Sequence, residues 1–116
     1  MAGSKSVLYF GKLSQNKLTE KLFKLGVIPL FRDNILQAIY TLRHGSFEAV
    51  LVDAGSVDAD VLEFILNVRD IDQQIPVFVA GESPDIAANR VISDLKNTFL
   101  LPEHSRKMEN LLQGYN

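Results

Sequence analysis

Five short apolar runs alternate with five segments of helical period along this chain, and that alternation restricts it to a parallel sheet wrapped by helices. The runs are Val7 to Phe10, Val27 to Phe31, Ala49 to Val52, Val77 to Ala80 and Thr98 to Leu101. The third and fourth have no polar interruption, as central strands covered on both faces require. The second contains Pro29, which lacks the N–H that an interior strand needs, so this run belongs at a sheet edge. Right-handed crossovers then leave the strand order 2-1-3-4-5, with its switch point between strands one and three. Asp53, directly after the third run, stands at the carboxyl rim of the sheet, where ligands and chemistry collect in such folds. Gly11, Lys12 and Gly55 are expected to meet it there.

The helical segments carry their own boundaries. Ser14 precedes Gln15 to Leu25, where Leu18, Leu22 and Leu25 share a face, and Gly26 stops it. Asp33 or Asn34 opens the next, with Ile35, Ala38, Ile39 and Leu42 inward and Gly45 behind. Val61, Leu62, Ile65 and Val68 mark the third. Ser83-Pro84-Asp85 reads as a cap with proline at the first helical position, followed by an inner face of Ala87, Val91 and Leu95. The last begins near Glu103 and buries Met108, Leu111 and Leu112.

At 116 residues this is one domain, expected over 6–112 with flexible termini at 1–5 and 113–116. A net charge of −2 lacks the basic surface that general nucleic-acid binding needs. Without cysteine there is no disulfide framework, thiolate nucleophile or Cys-based zinc site, and a cytoplasmic location is favoured. The opening residues are too short and polar for a signal peptide, and no apolar run approaches the roughly 18 residues of a membrane span.

Other polar clusters have plain readings. Ser56, Asp58 and Asp60 could supply metal ligands, but acids at a helix start ordinarily complement its dipole, and Glu82 and Asp85 read the same way. His44 and His104 sit at helix ends with no partner at catalytic spacing. Lys17, Lys21 and Lys24 form a stripe on the first helix, readable as a docking face for an acidic partner or as a solvated surface.

Phe47-Glu48-Ala49-Val50-Leu51-Val52-Asp53 resembles the third strand of bacterial response-regulator receiver domains, with its phosphoacceptor aspartate. Asp60-Val61-Leu62-Glu63, Ile75-Pro76-Val77-Phe78-Val79 and Leu101-Pro102 continue the resemblance, which spans Val7 to Leu112. It implies a CheY-like, flavodoxin-like fold and a part in two-component signal transduction. The departures from the family concentrate at its active site. Gly11 and Lys12 stand where two magnesium-holding acids are usual, Gly81 replaces a Thr or Ser, Leu101 replaces a Lys, and Thr98 occupies the aromatic switch position. Asp53 alone is kept as a candidate phosphoacceptor, and Lys12 is expected to neutralise it as an ion pair.

The resemblance with these losses implies a pseudo-receiver, not an enzyme, with no cofactor or metal. It would act through a regulatory protein partner or a fused effector domain, or as a homodimer, without binding nucleic acid or membrane. The alternatives are a phosphorylatable receiver using Asp53, and a small-ligand-sensing module at the glycine-lined switch point.

Overall fold

The computed structural model describes residues 5–57 and 59–113. Five strands, β1 (Lys5–Phe10), β2 (Val27–Arg32), β3 (Ala49–Asp53), β4 (Val77–Ala80) and β5 (Thr98–Leu101), form one sheet in the order β2-β1-β3-β4-β5. Every pairing is parallel. Lys5 and Gln113, expected in the flexible termini, belong to β1 and to the last helix; the remaining terminal residues, 1–4 and 114–116, lie outside the described residues. Pro29 lies in the edge strand β2, as the missing N–H demands.

Alternation along the strands builds two cores. Leu8, Phe10, Val50, Val52, Val77 and Val79 face α2 (Ile35–His44), α3 (Val61–Ile71) and α4 (Ile86–Asp94). Phe10 stacks on Phe64 of α3, ring centres 4.0 Å apart. On the other face Val7, Tyr9, Leu51 and Phe78 pack against Leu22 of α1 (Lys17–Lys24) and against Met108 and Leu112 of α5 (Ser105–Gln113). No described helix is long and apolar enough to cross a membrane.

Two helix readings are corrected. The cap of α1 is Asn16, not Ser14: its Oδ1 accepts from Thr19 N–H at 2.9 Å, and Thr19 Oγ1 accepts from Asn16 N–H at 2.9 Å. In α4 the cap is Asp85, so Pro84 falls outside the helix. The buried residues there are Ala88 and Ile92, while Ala87 and Val91 are exposed. The run Ile86-Ala87-Ala88 and the pair Val91-Ile92 place apolar side chains on two adjacent stripes, and periodicity alone does not choose between them.

Candidate functional site

Strand register assembles the site. Asp53 is aligned with Ala80, and Ala80 with Leu101, so the loops after β1, β3, β4 and β5 share one rim. Gly11 and Asp53 are brought into contact: a Cβ added at Gly11 would lie 2.9 Å from Asp53 Cβ, 2.8 Å from Tyr9 Cε1 and 2.9 Å from Ser56 Oγ. Real side chains do not tolerate such approaches, so position 11 admits only glycine without rearrangement. Gly55 and Gly81 also meet, since a Cβ at Gly81 would stand 3.3 Å from Gly55 N. The Gly81 backbone has φ +76°, which disfavours any other residue there.

The Lys12–Asp53 ion pair is absent. Lys12 is exposed and donates its backbone N–H to Ser56 Oγ at 3.2 Å, and the ion pair found among the described residues is Lys21–Glu109 at 3.1 Å. The chain leaves the sheet at Gly11, and solvating the ammonium costs less than holding it over a half-buried carboxylate. Asp53 is served instead by Tyr9, whose hydroxyl donates to Asp53 Oδ2 at 3.1 Å. Asn16 Nδ2 donates to the Tyr9 oxygen at 3.3 Å and to Ser14 Oγ at 3.1 Å. Burial pushes the Tyr9 phenol up to about 12; the Asn16 hydrogen bond works against this, and the Asp53 charge and hydrogen bond add to it. Tyr9 therefore stays protonated and remains a donor across physiological pH.

Ser56 staples the β3 loop, accepting from Lys12 and donating to Asp53 O at 3.3 Å. Asp60 caps α3, accepting from Glu63 N–H at 3.0 Å, and Asp58 lies outside the described residues. No group of three or more His, Cys, Asp or Glu side chains poised for a metal occurs among the described residues. The rim is a poor fit for a magnesium ion, which is held through one or two carboxylates with waters: position 11, a glycine whose neighbours would have to shift for any side chain, and position 12, a lysine, add no carboxylate to that of Asp53.

Leu101 is half-buried and packs into the α1–α5 core. Thr98, placed at the switch position, lies three residues before Leu101, roughly 10 Å from the rim. It is not gathered with Asp53: its Oγ1 accepts from Arg69 Nη2 at 3.2 Å at the opposite end of the sheet. His44 packs on Tyr40 and His104 on Phe99.

Tyr9 and Asn16 escaped the sequence reading. Within its apolar run Tyr9 reads as strand core, yet a buried tyrosine needs a partner for its hydroxyl. The signal was its spacing to Gly11: residues i and i+2 share a sheet face, and the glycine leaves room for the ring.

No protein-family model and no curated protein sequence matches the chain. Solved structures do. CheY4, a chemotaxis response regulator of Vibrio cholerae, superposes with a TM-score of 0.69 at 14% identity, covering 96% of this chain and 100% of its own. The receiver domain of sensor histidine kinase PA1611 from Pseudomonas aeruginosa PAO1, a structure with magnesium coordinated in its active-site cleft, gives 0.67 at 13% identity, covering 97% and 99%. The NtrC4 receiver domain from Aquifex aeolicus gives 0.67 at 16% identity, covering 95% and 93%. The fold is that of response-regulator receiver domains.

Proposed function

We propose that this chain is a pseudo-receiver: a receiver-fold signalling module of the cytoplasm that acts by contact with a regulatory partner or fused effector domain, without aspartyl phosphorylation. The observation that supports the reading is the close packing at Gly11, where an added Cβ would lie 2.8–2.9 Å from the Tyr9 ring, Asp53 Cβ and Ser56 Oγ, so that an acid beside Asp53 would require these neighbours to shift. Phosphoryl transfer to a carboxylate depends on cations that neutralise charge in the transition state. Asp53 has in their place a neutral phenol, which holds one of its oxygens. Gly81 offers no side-chain donor and Leu101 only an aliphatic one-sided wall. Each lost contact of this type costs about a hundredfold or more in rate, and several are missing together.

The test is a titration with beryllofluoride and magnesium, which together mimic an aspartyl phosphate, read in amide NMR spectra. The expected result is no saturable shift at Asp53, Ala54 or Gly81. Saturable shifts there, lost in Asp53→Asn, would support a phosphorylatable receiver instead.

A further inference from the structure

A concavity lies between α1 and α5 at the rim that carries Asp53, with a volume of about 290 Å³. Its floor is apolar, made by Leu18, Leu101, Pro102 and Met108, and Gly81 leaves it open at the rim. Lys17 and Lys21 supply its α1 wall. They stand one helical turn apart but differ in state. Lys21 is held by Glu109 across the gap at 3.1 Å, which neutralises that acid, whereas Lys17 is exposed and has no carboxylate within ion-pair distance among the described residues.

An apolar floor with one uncommitted ammonium at its edge matches a molecule with a short apolar body and one anionic head. The volume, about 290 Å³, stands at the small end of ligand cavities and suits a small ligand. We infer that this cavity binds a small amphipathic monocarboxylate, its hydrocarbon part against Leu101 and Met108 and its carboxylate on Lys17. The site goes beyond the proposed function and does not depend on it, because none of its lining residues holds Asp53. A ligand wedged between α1 and α5 would make the exposed faces of both helices respond to its presence.

Octanoate is a suitable probe, titrated into the protein below its micelle concentration and followed by amide NMR. Saturable shifts are expected at Leu18, Gly81, Leu101 and Met108. Lys17→Glu, an exposed change, weakens binding about tenfold, since a partly solvated ion pair is worth about a kilocalorie and here it is inverted to a repulsion. Lys24→Glu makes the same charge change on the same helix away from the cavity and leaves the affinity within about twofold by the same reasoning. Octylammonium, with the same chain and the opposite head, does not bind. Absence of saturable shifts, equal binding of octylammonium, or a Lys17→Glu variant of unchanged affinity would each overturn the inference. Because the readout is direct binding, it is independent of whether Asp53 accepts phosphate.

Discussion

Asp53 shows how a single side chain acquires its meaning from neighbours that its own strand does not contain. Its position at the rim was legible from the end of an apolar run, but its partner was not. Lys12 was adjacent by topology and opposite in charge, yet a flexible ammonium has water as a competing partner, whereas the Tyr9 hydroxyl is sealed in and can reach only Asp53 and Asn16. Alkaline unfolding isolates this contact. The Tyr9 pKa is near 12 in the folded state against about 10 in the unfolded chain, so its contribution is complete below pH 10 and is lost as pH rises towards 12. Across that window the wild type is expected to lose about 2–3 kcal/mol more than Tyr9→Phe, measured by urea unfolding at successive pH values. Parallel profiles for the two proteins would mean the hydroxyl is not buried as described.

At the scale of elements, the strands were easier to read than the faces of the helices. A buried parallel strand is an uninterrupted apolar run, and the third and fourth runs give β3 and β4 nearly to the residue. In α4 the two apolar stripes were equally regular, and the stripe that turned inward is that of Ala88 and Ile92. Before α1 either Ser14 or Asn16 could cap, and it is Asn16 whose Oδ1 takes the Thr19 N–H, while Ser14 Oγ accepts from Asn16 Nδ2.

Arg69, near the end of α3, was also invisible in the sequence. Its Nη1 donates to Ile75 O at 2.7 Å and its Nη2 to Asn97 O at 2.7 Å, tying α3 to the start of β4 and to the turn before β5. Burial lowers its pKa from the usual value, with Asp72 opposing. A charged fork satisfying two carbonyls is difficult to replace, and Lys, with a single point charge, cannot span both. Arg69→Leu is expected to lower stability by about 2–3 kcal/mol in chemical denaturation. A loss under about 0.5 kcal/mol would show that water serves those carbonyls equally well.

For the whole molecule, sheet order was legible because one proline and the handedness of crossovers leave few alternatives, and the order then fixes which loops share a rim. What the order does not fix is how tightly those loops approach, and the proposed loss of phosphorylation rests on the approach at Gly11. The receiver fold thus carries a rim at which Tyr9, Ser56 and Asp53 close in on Gly11. The most direct test is intact-mass analysis after incubation with acetyl phosphate and magnesium, with Asp53→Ala alongside. No mass increase of one phosphoryl group is expected in either protein; stoichiometric modification of the wild type, abolished in Asp53→Ala, would show a phosphorylatable receiver instead.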